Sequence, residues 1–470
     1  MKPSTLTALV LALGAAYPAA AQTSADVLKE LQELKAKVAE LERKLQAQEA
    51  RPAAAPTGPG GAQWGMTPEQ ARELSRLAIK AEALEDSRDA AGFKQLKISG
   101  YMDPTWIYNR NQNRAGFQFL NSVSDDGYNY DNSYFGGAQI DFQKETDSGV
   151  KWRLTLMPNR GTDAVMGNGS IVHEASVSIP LGSLQTRLIA GHIPDWSGYE
   201  YLPATQNKLI THNLLFDFTL PTTYTGAGLE LTRGKWILKG MLANMNASKN
   251  AQGERAPVVA YRVDYSRGEF KGFGFAGVHG KAANLSQAML DSVSGEVIGQ
   301  PNSRLDLFEF DAYFIRGDWT VQGQASLGRQ RKASITPSSG STITEDPASG
   351  SLRDAQWWGL SGLAAYKITP RLEAIARADY IHNTKNGGGL LGYVVADDRN
   401  GIGPDPAGDA NLGTKRTALS FGLSYLFDAS TTLKAEYRLD RASLPVFLDV
   451  KSGEYRKSNS VFGASVLVAF

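Results

Sequence analysis

The sequence predicts an all-β transmembrane barrel of about 16 antiparallel strands, preceded by a short α-helical coiled coil. Two observations carry the barrel. Apolar residues recur at every second position in segments of roughly ten residues, joined alternately by very short turns and long polar loops. The last such segment, Ser460 to Phe470, sets Phe462, Ala464, Val466, Val468 and Phe470 on one side and ends on an aromatic residue. A soluble sandwich would need a second sheet to cover these apolar faces, and it supplies no reason for the alternation of turns and loops.

Residues 1–21 read as a secretory signal peptide: Lys2 precedes an apolar run from Leu6 to Ala16, and Ala19, Ala20 and Ala21 form a small-residue cleavage pattern. The coiled coil occupies 22–50. Val27, Leu31, Leu34, Val38, Leu41 and Leu45 alternate at spacings of four and three, as an a/d seam requires. In a parallel assembly Glu30 faces Lys35 of a neighbour and Lys37 faces Glu42, whereas a lone amphipathic helix leaves these charges unmatched. Residues 51–66 turn to Pro, Gly and Ala and read as a linker. A second helix, 67–92, opens on Thr67-Pro68-Glu69-Gln70, repeats Leu74, Leu77, Ala81 and Leu84, and stops at Gly92. Both helices are expected in the periplasm, and residues 93–470 form the outer-membrane barrel.

Composition narrows the function. The chain has no cysteine, which removes disulfides and thiolate metal sites. Lys plus Arg 49 against Asp plus Glu 48 leaves a net charge of +1, so nucleic acid is not an expected partner. No stretch after the signal reaches the roughly 18 uncharged apolar residues of a membrane helix. Strands evade that test because they hide their apolar residues at alternate positions.

The hairpins share one design. Ala138, Ile140 and Phe142 alternate with Gln139, Asp141 and Gln143, and after the turn at Glu145 to Gly149, Trp152, Leu154 and Leu156 alternate with Lys151, Arg153 and Thr155. The pattern continues through short turns at Gly182, Gly234, Gly268, Gly317, Pro370 and Asp428. Aromatic residues such as Trp236, Trp319, Tyr366 and Phe427 fall at strand ends, where an interfacial girdle sits.

On the other parity the lining is polar, which predicts a water-filled lumen. Arg153, Arg187, Glu230, Lys239, Arg262 and Arg438 are the candidate pore-lining residues. Lys434, Glu436, Arg438 and Asp440 alternate in sign up one wall, either as a field across a pore or as mutually neutralising charges. The long segment Ile193 to Thr225 carries Trp196, Tyr199, Tyr201, an apolar patch from Leu209 to Phe218, and Tyr224. So much apolar surface requires cover, either inside the barrel mouth or against a neighbouring subunit. Its charges Asp195, Glu200 and Lys208 are the candidate constriction residues.

Nothing in the pattern predicts an enzyme, a metal or a cofactor. The five histidines are scattered, with His173 on the lipid-facing parity, and none is spaced with a nucleophile. Gly387 to Gly392 matches GxGxxG but lacks a following helix. Asp397 to Gly401 resembles a calcium loop but has Ala396 and Ala407 where ligands belong.

The segment Gly191-His192-Ile193-Pro194-Asp195-Trp196-Ser197-Gly198-Tyr199-Glu200 is similar to the strand-five exit of phosphate-selective-porin-like proteins, trimeric outer-membrane porins with a periplasmic coiled coil. Trp64 to Gln70 and Lys97 to Asn121 also resemble an uncharacterised proteobacterial family of putative porins. The resemblance implies a homotrimer in outer-membrane lipid, passive diffusion, and Phe470 as the signal read by the barrel-assembly machinery. The phosphate channels place arginine and lysine at the constriction, whereas Ile193 to Thr225 holds Lys208 alone. The resulting expectation is a Gram-negative outer-membrane porin that passes small hydrophilic solutes or ions. The alternative is a non-conducting barrel that tethers the membrane to the cell wall through its N-terminal coiled coil.

Overall fold

The computed structural model describes residues 93–470 except 121–135, 159–170, 246–256, 284–301, 334–344, 347–350, 353, 384–389, 392–396 and 409–411; of the N-terminal segment it describes 72–73, 75–80, 82–83 and 89. The expected signal peptide, coiled coil and linker, 1–66, lie outside the described residues. The chain divides into two units, 1–85 and 86–470. In the first, residues 72–73, 75–80 and 82–83 are helical. Among the described residues no helix is long and apolar enough to cross a membrane.

The second unit is a closed antiparallel barrel of 16 strands. Strand β1 comprises Leu96–Met102 and Thr105–Asn109, and β2 comprises Arg114–Gln118 and Ala138–Glu145. There follow β3 (Lys151–Leu156), β4 (Val172–Ser183), β5 (Thr186–Pro194), β6 (Thr223–Arg233), β7 (Trp236–Met245) and β8 (Val258–Ser266). The second half is β9 (Lys271–Ala283), β10 (Asn302–Arg316), β11 (Trp319–Gln330), β12 (Ala355–Lys367), β13 (Leu372–His382), β14 (Arg416–Leu426), β15 (Thr431–Ala442) and β16 (Ser458–Ala469). Both pieces of β1 keep a single register against β16, from Tyr101 opposite Ala469 to Asn109 opposite Val461, and this pairing closes the barrel. Closure removes the sheet edges and satisfies every rung in hydrocarbon.

Side-chain parity follows the sequence. Ile140, Leu242, Phe275, Phe310, Leu360, Phe421 and Val466 are exposed on the outside, while Asp141, Glu309, Asp311, Arg377 and Asp379 are buried within. Stacked and tilted rings mark two levels: Trp236 with Tyr265 and Trp319 with Tyr366 at the short-turn end, Trp358 with Tyr380 and His382 toward the long loops. At Gly234 and Gly317 the two-residue turns take φ of 59° and 58°, which a glycine adopts without a Cβ clash.

Three expectations need correction. The first connection is not a long loop: β1 turns at Arg110–Asn113 directly into β2, and residues 119–135 are inserted within β2, whose two pieces pair with the two pieces of β1. The chain leaves at Gln118 and returns at Gly136, so close that a Cβ on Gly136 would strike the Gln118 carbonyl. His173 does not face lipid. A register shift opposite Thr155 and Leu156 inserts one residue into β4, and His173 is buried while the outward Val177 stays exposed.

The third correction concerns the lumen, which is polar over only part of its height. Toward the long loops, inward residues Met241, Met245, Val258, Val278, Leu305, Leu307 and Trp357 pack in one cluster with Leu390, Leu391 and Ile402 from the connection between β13 and β14. That end of the wall from β7 to β14 is packed with apolar side chains. The sequence signal was available: Met241, Leu242, Ala243 and Met245 make the end of β7 apolar on both faces, the mark of a strand buried on both sides.

The splice in β2 gives a direct test. Gly136→Ala combines a φ of 71° with a steric clash, whereas Gly234→Ala, with open space around its Cβ position, carries the dihedral cost alone. Urea unfolding in lipid vesicles, followed by loss of the heat-modifiable band, is expected to show a loss of about 2–4 kcal/mol for the first and about 1 kcal/mol for the second. Equal losses would mean that the splice is not the fixed point described.

Candidate functional site

The loop between β5 and β6, residues 195–222 (L3), enters the lumen. It contains a 3₁₀ turn, Ala204–Gln206, and a short helix α1, Leu214–Thr219, capped by the Asn213 side chain, which accepts from Phe216 N at 2.8 Å. Its apolar residues Leu202, Leu209, Ile210, Leu214, Leu215 and Phe218 are all buried. Of the two covers open to this patch, the barrel's own interior is the one observed.

A loop inside a barrel has few neighbours of its own to bond its peptide groups, so the wall must supply them. Arg262 on β8 donates to Trp196 O at 2.7 Å and to both carboxylate oxygens of Asp311 at 2.8 and 2.9 Å. Arg377 on β13 donates to Thr211 O at 2.6 Å and His212 O at 2.8 Å, and pairs with Glu200 at 2.8 Å. Arg438 on β15 reaches His212 O at 2.7 Å, and Lys434 reaches Ala204 O at 2.8 Å and Asn207 O at 2.6 Å. Glu436 completes the set by accepting from Ile210 N and Thr211 N, both at 2.8 Å, and from Thr211 Oγ1 at 2.6 Å.

Shape accompanies charge. Glu436 stands between Gly422 on β14 and Gly463 on β16. A Cβ at Gly422 would overlap Leu209, and one at Gly463 would crowd Ile210. Gly359 on β12 makes the same space for Leu215. The acid binds two successive loop amides, and the glycines beside it receive the side chains of the loop residues Leu209 and Ile210.

The predicted residues therefore divide. Arg438 has a side chain 0% exposed and belongs to the seat of L3, so it does not line open water. Arg262, at 11%, also holds the loop. Arg187 is buried at the short-turn end, donating to Gly149 O and Ser178 Oγ, both at 2.7 Å. Arg153 and Lys239 keep 35% and 30% of their side chains exposed, paired with Asp141 at 2.9 Å, Glu174 at 3.2 Å and Glu230 at 3.3 Å. On the loop, Glu200 is consumed by Arg377 and Lys208 by Glu373 at 2.7 Å. Asp195 accepts the Tyr224 hydroxyl at 2.6 Å, and burial pushes its carboxyl up to about 6 against that bond. Burial likewise raises Asp217 to about 7, with Arg438 opposing the rise.

Sequence reading missed Arg377, Glu436 and the three glycines as parts of this site. The ladder from Lys434 to Asp440 is not a field across open water: three of its members bond L3, and its charges neutralise one another only at the Arg438–Asp440 pair at 3.1 Å, which Arg416 joins at 2.6 Å from Asp440. His212 stacks on Phe216 at 4.2 Å, and His279 lies 3.1 Å from Asp306 on the outer face. Among the described residues no group of three or more His, Asp or Glu is arranged to hold a metal ion. Phe470 closes the barrel rim, its backbone exchanging bonds of 3.0 Å with Gly100 in both directions.

Several solved structures resemble the chain. A loop-deletion mutant of OmpT, an outer membrane protein of Vibrio cholerae, aligns with a TM-score of 0.50 at 10% identity over 80% of this chain and 99% of that one. OmpF of Salmonella typhi gives 0.49 at 13% identity over 80% and 97%, and an anion-selective porin of Comamonas acidovorans gives 0.47 at 10% over 80% and 99%. At these identities the likeness concerns fold alone, a closed antiparallel β-barrel. No curated protein matches. The family model described as protein of unknown function, DUF3138, matches residues 1–470, and the chain belongs to that family.

Proposed function

We propose that the protein is an outer-membrane channel for passive diffusion of small hydrophilic solutes or ions, with the aqueous path along the wall from β2 to β7. The observation that carries this reading is the division of lumenal charge. Arg262, Arg377, Arg438, Lys434 and Glu436 are spent on seating L3, whereas Arg153 with Glu174 and Lys239 with Glu230 keep about a third or less of their side chains open to the lumen. Salt-bridged pairs of both signs along a hydrated wall favour no single ion strongly. Phosphate selectivity is not part of the proposal, because L3 offers no arginine and its Lys208 is held by Glu373. Three copies joined by the residue 22–50 seam would give the homotrimer, with the arm in the periplasm.

A second reading has an observation of its own. The apolar cluster at the loop end of β7 to β14 blocks that sector of the bore, as a tethering barrel that conducts nothing would require. Reconstitution of the full chain in planar bilayers separates the two: stepwise conductance supports the channel, and silent trimers that still show heat-modifiable mobility support the tether.

Two variants locate the path. Arg153→Glu replaces a cation at the open wall by an anion; a charge within about 4 Å of a passing ion is worth about 1 kcal/mol in water before screening. The permeability ratio is expected to move roughly two- to tenfold toward cations, and an unmoved reversal potential would place the path elsewhere. Glu436→Gln keeps the shape of the seat but removes the charge from three hydrogen bonds, loosening L3 by about 1–3 kcal/mol. Open-channel current is expected to become noisier with a larger mean conductance; a current identical to the parent's would show that L3 does not set the constriction.

A further inference from the structure

The outer wall carries a charged rung that none of the lumenal chemistry uses. Lys281 on β9 stands directly opposite Arg304 on β10, and Arg331, just past the end of β11, donates its backbone N–H to Arg304 O at 2.9 Å. All three side chains follow the outward parity of Phe275, Phe308 and Leu327, and all three are exposed, Arg304 by 61%. One rung nearer the hydrocarbon band, Asp306 accepts from Arg304 at 2.9 Å and from His279 at 3.1 Å, and Arg329 pairs with Asp354. Among the described residues, four basic side chains thus face two carboxylates. Like charges on adjacent strands repel, so an anion outside the chain would stabilise this rung.

Below it on the same strands lies a cavity of about 550 Å³ in the outer surface. Its floor is a single cross-strand row, Ala312, Gly323, Gly362 and Ala378, rimmed by Phe310 and Leu360. A glycine inside a strand costs stability and is usually explained by the close approach of another part of the fold. Here that explanation fails. A Cβ on Gly362 would meet nothing within 4 Å, and one on Gly323 only the Ser361 carbonyl at 3.8 Å. Eight residues of strand separate Arg304 from Ala312, about 27 Å of chain, which a barrel tilt near 40° reduces to roughly 20 Å of depth. That carries the cavity from the headgroup level to the neighbourhood of the midplane of a hydrocarbon core about 30 Å thick.

We infer that β9 to β13 form a binding site for one membrane lipid whose headgroup bears phosphate. Lys281, Arg304 and Arg331 hold the phosphate, and the chain tail lies over the row from Ala312 to Ala378. The occupant is a lipid and not a free anion, because the cations point outward above an apolar surface and an aqueous phosphate would have no use for the cavity. Two copies of this chain meeting face to face would bring the basic rungs together without neutralising them. The inference rests on the membrane-spanning reading of the barrel, and conduction does not enter it.

Native mass spectrometry of the full-length protein in detergent, titrated with bisphosphoryl lipid A, tests the site. The parent is expected to retain one lipid at least tenfold more tightly than the triple variant K281Q/R304Q/R331Q. Arg456→Gln, on a different part of the loop-end surface, should bind as the parent does. Gly362→Leu fills the cavity and should weaken retention several-fold while leaving the dependence on phosphate intact. Inorganic phosphate at millimolar concentration should not compete. Equal retention by the parent and the triple variant, equal binding of lipid A stripped of its phosphates, or an equal loss in Arg456→Gln would each overturn the assignment. If the triple variant lacks heat-modifiable mobility, the parent alone decides, since phosphate-dependent binding must weaken as salt rises. A silent bilayer with phosphate-dependent lipid retention sinks the channel only, and a conducting barrel without it sinks the lipid site only.

Discussion

The interaction on which the interior depends is the bonding of L3's peptide groups by charged side chains of the wall. A segment inside a closed barrel cannot join the ladder, yet each of its buried carbonyl and amide groups must find a partner. Arg262, Arg377, Arg438 and Lys434 supply donors to Trp196, Thr211, His212, Ala204 and Asn207, and Glu436 supplies the acceptor for two successive amides. The arrangement also settles the charges themselves. A lone buried arginine would cost several kcal/mol, and Arg377 avoids that cost only because Glu200, Asp379 and two carbonyls surround it. Loop and wall each remove the penalty of the other, so neither arrangement is stable alone.

Position follows from that mutual need. With Ile210 and Thr211 fixed on Glu436, Leu209 and Ile210 fall over Gly422 and Gly463, and α1 brings Leu214, Leu215 and Phe218 against the apolar end of the lumen. Arg416 ties this layer to the outer loops: it pairs with Asp440, donates to Asn400 O, and lies 5.2 Å from the centroids of both Phe218 and Phe447. The polar seat and the apolar packing are two levels of one closure over the same sector of wall.

The barrel frame was legible in the sequence because parity alone determines it; Phe310 and Glu309 declare their sides whatever their partners are. The seat of L3 was not, since parity says that Arg438 points inward and says nothing about what stands opposite. The same limit explains His173, where one extra residue in β4 reverses the side, and the β2 splice, where residues 119–135 interrupt a strand whose first half, Arg114–Gln118, is too short to show an alternation of its own. The apolar end of β7 to β14 was legible in principle at Met241 to Met245. A reading tuned to alternation passes over positions where both parities are apolar.

Between Glu436, which seats the loop, and Arg153, which faces the lumen, the size of the cross-strand neighbours is one difference. Glu436 is flanked by Gly422 and Gly463, whose missing side chains leave a hollow on each side that water would fill poorly and Leu209 and Ile210 fill well. Arg153 is flanked instead by Gln143 and Ser176, which occupy their space with groups that water can bond. Lys239 has charged neighbours on both sides, Glu230 and Arg262. Glu436 between its two glycines is thus a socket, but polar neighbours alone do not make a hydrated surface: Lys434 stands between Ser424 and Ser465 and still bonds Ala204 O and Asn207 O. Glu436 and Arg153 differ in this respect although both alternate with apolar residues, which is why their roles part only once the registers of adjacent strands are known.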